Sequence, residues 1–384
     1  MTTTTHPAAE AASLWPARIR VLTLPGGRHL LLDRRALTVC VMLALLILAV
    51  GGLALTLGES PISVSEVFAA LTGHADRGTT RIVVEWRLPR VAIAVLGGAA
   101  LAMSGAIFQS MTRNPLGSPD IIGFNTGAYT GALLSTVLAA GATSAGAAGA
   151  TGATGAAGSG GAFSVTAGAL VGGLVTALVV YGLAFKGGLQ GFRLIVVGIG
   201  VSAMLMAFNS YLLVTTRLEA AVSVSIWGAG SLNGVRWPDV LPVVRSLVVL
   251  VPLTVLMLRH LTCLELGDDL GRLLGLRPEL TRIGMLVTGV GLIAVVTAIV
   301  GPITFVALAA PQIAKRLVRA SGPQLLASAL VGGLLLLLSD VIAQRIIAPG
   351  QLPVGVVTAC LGGAYLVWLL SRGPAGTRGA KGSA

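Results

Sequence analysis

Apolar residues along this 384-residue chain follow neither the period of two of a half-buried strand nor the narrow stripe of a surface helix. They run on for about twenty residues at a time, the length a helix needs to cross the ~30 Å hydrocarbon layer of a bilayer. Ten such segments can be drawn, at 36–57, 91–111, 121–140, 163–185, 194–215, 240–258, 283–304, 305–314, 325–342 and 354–370. The pattern predicts an all-α polytopic membrane protein of about ten transmembrane helices. The eighth segment, between Pro302 and Pro311, is too short to cross alone. If it is broken or re-entrant, its irregular backbone must line a protein-buried cavity, because lipid offers no hydrogen-bond partner.

Composition agrees with that reading. Hydrophobic residues make up 55% of the chain and charged residues 10%, against about 25% charged in soluble domains. The predicted organisation is a cytoplasmic N-terminal tail at 1–35, a transmembrane domain at 36–372 and a cytoplasmic C-terminal tail at 373–384. The tail carries Arg18, Arg20, Arg28, Arg34 and Arg35 and lacks a signal peptide's apolar core and cleavage site. The net charge of +12 changes the picture only through its distribution. With both termini inside, the tails and inner loops carry 18 of the 26 Lys and Arg residues, which fits the positive-inside rule and a multi-pass protein of the cell's cytoplasmic (inner) membrane. No aromatic-basic surface accompanies the charge, so nucleic acid is not an expected partner.

Candidate chemistry is sparse. Cys40, Cys263 and Cys360 are widely spaced, and His6, His29, His74 and His260 are isolated, so neither a disulfide frame nor a metal cluster is supported. There is no GxxxxGK[ST] phosphate loop and no triad or carboxylate pair. Almost every acidic residue lies in a loop or at a span end, and Asp340 is the exception, within or just at the outer end of the ninth span; it reads as a functional candidate or as a structural partner of neighbouring backbone or Arg345. Residues 141–161 are nearly all Gly, Ala, Ser and Thr and read as a flexible external loop. Many of the 52 glycines lie inside predicted spans, where small residues let membrane helices approach closely.

Arg87-Leu88-Pro89-Arg90 precedes the second span and, by itself, reads as an interfacial anchor with Pro89 at a helix start. Along that span follow Gly98-Ala99-Ala100-Leu101-Ala102-Met103-Ser104-Gly105 and Gln109, then Arg113-Asn114-Pro115-Leu116-Gly117-Ser118-Pro119-Asp120 and Ile122-Gly123. Later come Trp227-Gly228-Ala229-Gly230-Ser231-Leu232, the run Gly301 to Ala314 with Phe305-Val306, Pro311 and Gln312, and Gln351-Leu352-Pro353-Val354-Gly355. In collinear order over roughly 36–372, these motifs closely resemble the FecCD family, the permease subunits of ABC importers for iron-siderophores, haem and vitamin B12. Ala307 and Gln312 stand where the broader family usually has Gly and His, a variant associated with its iron-siderophore branch. Gln344 stands where many members have Arg, with Arg345 next to it.

The resemblance implies a type II ABC importer permease fold and a transport function. The chain would move ferric-siderophore complexes inward on ATP hydrolysed by a separate ATPase dimer, with a vitamin B12 or haem importer as the alternative. It implies docking of an extracytoplasmic siderophore-binding protein on Arg87, Arg90 and Arg345, and a cytoplasmic gate at Asn114 and Leu116. It also implies an ATPase-coupling helix over Gly267, Asp268, Leu270, Leu273, Leu274, Gly275 and Leu276. Read from its own pattern, this last segment is amphipathic, with Leu266, Leu270, Leu273 and Leu274 at helical spacing; an interfacial helix would look the same. The further partners implied are membrane lipid and a second permease, either homologous or another copy of this chain. No catalytic residue, metal or cofactor is implied on this chain, ATP and Mg²⁺ belonging to the ATPase. An ion-coupled secondary transporter, the different-class alternative, calls for intramembrane Asp, Glu or His relays, and the spans offer at most Asp340.

Overall fold

In a computed structural model, residues 19–24, 28–58, 60–144, 165–185, 191–320, 322–347 and 350–371 are described. All ten predicted segments are helical at their cores. The helices are α1 (Arg34–Thr56), α2 (Val64–Leu71), α3 (Arg77–Thr112), α4 (Phe124–Ser144), α5 (Val165–Ala184), α6 (Gly191–Thr215), α7 (Leu218–Gly228) and α8 (Trp237–Glu265). They continue as α9 (Asp268–Leu273), α10 (Pro278–Val300), α11 (Val306–Val318), α12 (Leu325–Arg345) and α13 (Val354–Ser371). Among the described residues, seven of these, α1, α3, α5, α6, α8, α10 and α12, are long and apolar enough to cross a membrane by length and composition. The chain is a multi-pass membrane protein.

One element departs from the all-helical expectation. An antiparallel pair, β1 (Ile19–Leu24) and β2 (Arg28–Asp33), occupies the end of what the sequence suggests is a plain tail. Its strands bracket Pro25-Gly26-Gly27, residues with turn chemistry. Asp33 then caps α1, its carboxylate accepting the Arg35 N–H at 2.9 Å. The expectations for 1–18, for most of the 141–161 loop and for 373–384 fall on residues outside the described ones.

The bundle is built around α3. This helix is continuous from Arg77, with π-type bonding over Arg81–Arg87, and from Gly97 onward every residue except Ala99 is buried. Its small residues permit the approach of its neighbours. A Cβ on Gly98 would lie 2.7 Å from the carbonyl carbon of Gly332 in α12, and one on Gly105 would lie 2.9 Å from Ala307 Cα in α11. Contacts that short require backbone on backbone, the packing mode available to helices that gain no hydrophobic drive from lipid. On the periphery, α6 keeps Met204, Met206, Phe208 and Tyr211 exposed.

The short eighth segment is a broken one. After Val300 the chain leaves the helix at Gly301 (φ 76°), runs irregularly to Phe305 (φ 67°) and restarts as the 13-residue α11, which spans only about 20 Å. The irregular stretch is enclosed by protein: Gly301, Pro302 and Ile303 are buried. The backbone around them is tied by Ser231 N–H to Val300 O at 2.8 Å and Gly355 N–H to Gly230 O at 3.1 Å. A small cavity of about 40 Å³ beside Phe305, Ser339 and Tyr365 lies along it. The physical condition for irregular backbone at membrane depth is met.

Candidate functional site

Two ends of the bundle carry the predicted residues. At the α2 end, the start of the apolar part of α3 brings Arg87 and Arg90 to the wall of a cleft of about 380 Å³. Trp86, Arg236, Gln344 and Gln351 also line it. Both α3 arginines are engaged inside the chain. Arg87 donates to Leu55 O at 2.7 Å and to Ser60 O at 2.6 Å, tying the end of α1 to α3. Arg90 forks onto Asp340, with Nη2 to Oδ1 at 2.8 Å and Nε to Oδ2 at 2.9 Å, and Nη1 donates to Gln351 Oε1 at 3.1 Å. Gln344 Nε2 donates to the same carboxylate at 2.8 Å.

Asp340 is therefore the structural partner of a cation, and that cation is Arg90 rather than Arg345. The Asp340 side chain is 2% exposed and that of Arg90 16%. A charge that dry persists only when paired and hydrogen-bonded, and the planar guanidinium suits the task. Arg345, one helical position past Gln344, is exposed at the same end. Arg236, which the sequence patterns do not single out, is exposed as well and lines the cleft just before α8. The signal for it is weak in sequence, because its nearness to Arg90 and Gln351 comes from the packing of distant segments.

At the opposite end, α8 stops at Glu265 and the predicted coupling segment forms a compact knuckle. Gly267 (φ 126°) and Gly275 (φ 79°) bracket α9, conformations that glycine adopts without a Cβ penalty. Leu276 N–H bonds to Gly271 O at 3.0 Å and Gly275 N–H to Arg272 O at 2.9 Å, the paired closure of a glycine-terminated helix. Asp268 opens the helix. Leu266, Leu270, Leu273 and Leu274 stand 64%, 49%, 83% and 62% exposed. Two leucines on this short helix and one on either side of it, left exposed by the described residues, form an apolar knob of the kind a groove accepts.

Beside the knuckle, with Arg113 Nε donating to Leu264 O at 2.9 Å, the connector from α3 to α4 turns tightly. Arg113 takes a left-handed conformation (φ 50°) to end α3. The Asn114 side-chain oxygen accepts Leu116 N–H at 2.9 Å, and Asn114 O accepts Gly117 N–H at 2.9 Å, so Asn114 holds the turn that presents Leu116, 37% exposed. Asp120, which the sequence places in a loop, is joined to the interior: Oδ1 accepts Asn125 Nδ2 at 2.6 Å and Oδ2 accepts Phe305 N–H at 3.3 Å. Among the described residues no group of three or more His, Cys, Asp or Glu is placed to hold a metal.

The chain is 45% identical over 338 residues, 88% of its length and 97% of the relative's, to the ferric enterobactin transport system permease protein FepG of Escherichia coli (strain K12). It is 35% identical to the achromobactin transport system permease protein CbrC of Dickeya dadantii (strain 3937), over 85% of this chain and 89% of that one. It is 32% identical to the iron(3+)-hydroxamate import system permease protein FhuG of Bacillus subtilis (strain 168), over 88% and 98%. A solved structure of a metal-chelate type ABC transporter, in an inward-facing conformation, superposes with a TM-score of 0.71 at 26% identity, covering 87% of this chain and 99% of that one. The model of the FecCD transport family matches residues 43–372, from the middle of α1 to just past the end of α13, so this chain belongs to the FecCD transport family.

Proposed function

We propose that this chain is the permease subunit of an ABC importer that brings ferric-siderophore complexes into the cytoplasm. The observation that carries the reading is the leucine knob of α9, an apolar surface displayed at one end of a membrane bundle whose relatives are named as siderophore permeases. Gly267, Asp268, Leu270, Leu273, Leu274, Gly275 and Leu276 dock in a groove of a separate ATPase dimer, which holds ATP and Mg²⁺. The end bearing α9 faces the cytoplasm, as do both termini; the positive-inside count supports this orientation.

At the other face, an acidic binding protein settles over the cleft. Arg345 and Arg236 meet it directly, while Arg87 and Arg90, braced from within, line the cleft floor. Asn114 and Leu116 form part of the inner gate, and a second permease covers part of the apolar surface of α6. ATP-driven closure of the ATPases changes the contacts at α9, and a ligand-driven shift of this kind works only through differential contact with two conformations.

The test is uptake of labelled iron from a panel of ferric siderophores in a strain lacking this chain, with and without complementation, alongside labelled cobalamin and haem. Restored uptake of one siderophore class, lost again when the partner ATPase is inactivated, is the expected result. Restoration only for cobalamin or haem would overturn the cargo assignment, and uptake indifferent to the ATPase would overturn the ABC reading in favour of an ion-coupled carrier.

A further inference from the structure

Polar groups, with Gln109 and Ser110 buried at their centre, join α8, α3 and α11 through hydrogen bonds that start beside the α9 knuckle. Glu265, the last residue of α8, accepts Ser110 Oγ through Oε1 at 2.7 Å, and Arg113 Nε donates to Leu264 O at 2.9 Å. One residue before Ser110 is Gln109, 3% exposed. Its Nε2 donates to Leu308 O at 3.0 Å, and its Oε1 accepts Gln312 Nε2 at 2.6 Å. The Gln312 amide also reaches Pro115 O in the connector at 3.4 Å. Farther along, the Asp120 carboxylate accepts the N–H of Phe305, where the chain re-enters helix.

The break after α10 makes these bonds matter. Because the chain unwinds between Gly301 and Phe305, α11 is not a rigid extension of α10, and its placement depends on what it touches sideways. Sideways it packs on α12 and α3, with Gly105 of α3 against the Ala307 backbone, and makes the polar contacts just described. The bond from Gln109 to Leu308 O lies in the dry interior, where a lost partner is not replaced by water, and Gln312, half-buried, closes the link on the side nearer the surface.

We propose that Gln109 and Gln312 are positioning residues for transport: they lock α11 and the 113–123 connector to the inner end of α3, so that a displacement of α9 is delivered to both as one body. The inference deepens the importer reading and rests on it. Gln109 supplies both a donor and an acceptor, which no apolar residue and no ionised carboxylate can do at that position. Glu265 and Ser110 form the entry to the link, and Asp120 with Phe305 its far end.

The test uses the chain assembled with its ATPase and binding protein in liposomes, scoring ATP hydrolysis and uptake of whichever cargo the unsubstituted complex takes up. Gln312→Leu removes the amide and keeps the bulk; Gln312→His restores a ring N–H. The expected result is a loss of about tenfold in cargo moved per ATP for Gln312→Leu, with hydrolysis retained within about twofold. Gln312→His recovers most of that ratio. The Gln109→Leu/Gln312→Leu double variant is no worse than the poorer single one, as for two halves of one bond. A merely structural role would lower hydrolysis and uptake together, through loss of folded complex, and leave the ratio per ATP unchanged; that outcome overturns the inference. So would additive losses in the double variant, or Gln312→His behaving as Gln312→Leu. Failure of the importer reading looks different: the unsubstituted complex then fails to bind an ATPase or moves nothing on ATP, and the inference falls with it.

Discussion

Replacing Arg90 by alanine leaves a carboxylate stranded. Asp340 sits at 2% exposure and receives two N–H donors from Arg90, Nη2 at 2.8 Å and Nε at 2.9 Å with the same Nε–H also 3.2 Å from the other oxygen, plus one from Gln344. Without the guanidinium, one amide donor remains for a buried charge, and removing one partner of such a pair costs about 3–5 kcal/mol. The reverse change is milder. In Asp340→Asn the arginine keeps Gln351 and opens onto the cleft, where water can reach it, so the loss is that of charge-assisted hydrogen bonds, about 1.5–3 kcal/mol. The double variant Arg90→Ala/Asp340→Asn removes the stranded charge and should be more stable than Arg90→Ala alone. Unfolding of the isolated chain in mixed micelles, titrated with a denaturing detergent, measures all three, because both partners belong to one chain. Equal losses for the two single variants, or strictly additive losses in the double one, would refute the assignment of this pair as a buried brace.

Leu273→Asp, on a side chain 83% exposed, should leave the chain's stability within about 0.5 kcal/mol and weaken ATPase binding more than tenfold, read by co-purification at graded concentrations. Gly105→Val drives two methyls and a Cβ into the Ala307 backbone and should prevent monodisperse folding, seen as aggregation in size-exclusion chromatography; overpacking costs about 1–3 kcal/mol even where side chains can yield. Arg236→Glu and Arg345→Glu, both exposed, should slow binding-protein association, most at low salt, with little change in dissociation. Gly275→Ala, at φ 79°, should cost about 1–3 kcal/mol locally and show as faster proteolysis at the knuckle.

The same physics explains what was legible beforehand. The long apolar runs are local, so each of the ten segments falls on a helix, although α3 starts at Arg77, well before the drawn start at 91, and α8 runs on to Glu265, past the drawn end at 258. The amphipathic leucine spacing of the knuckle is equally local, whereas its reading as a coupling helix closed by Gly275 came from the family resemblance. The N-terminal hairpin was missed because it is short and follows a polar stretch that reads as tail. Asp120 was missed because loop position in sequence says nothing of depth: the connector is buried against α6 and the irregular segment before α11, with Ile122 2% exposed and Gly198 packed on its backbone.

By itself, then, the sequence determined the membrane class, the order of the apolar segments and the family pattern, each a property of residues near one another in the chain, while the break after α10 was settled by the fold. Tertiary structure decided who partners whom. Arg90 meets Asp340 across 250 positions and Gln109 meets Gln312 across 203, and each pairing depends on the register of two helices set by glycine contacts elsewhere along them. Exposure could not be read locally for the same reason: Arg87 and Arg90 look like surface arginines in a loop motif, yet the fold spends their hydrogen bonds on Leu55, Ser60, Asp340 and Gln351. Desolvation is decided by what packs around a group, and in a bundle of long helices that neighbourhood is assembled from the whole chain.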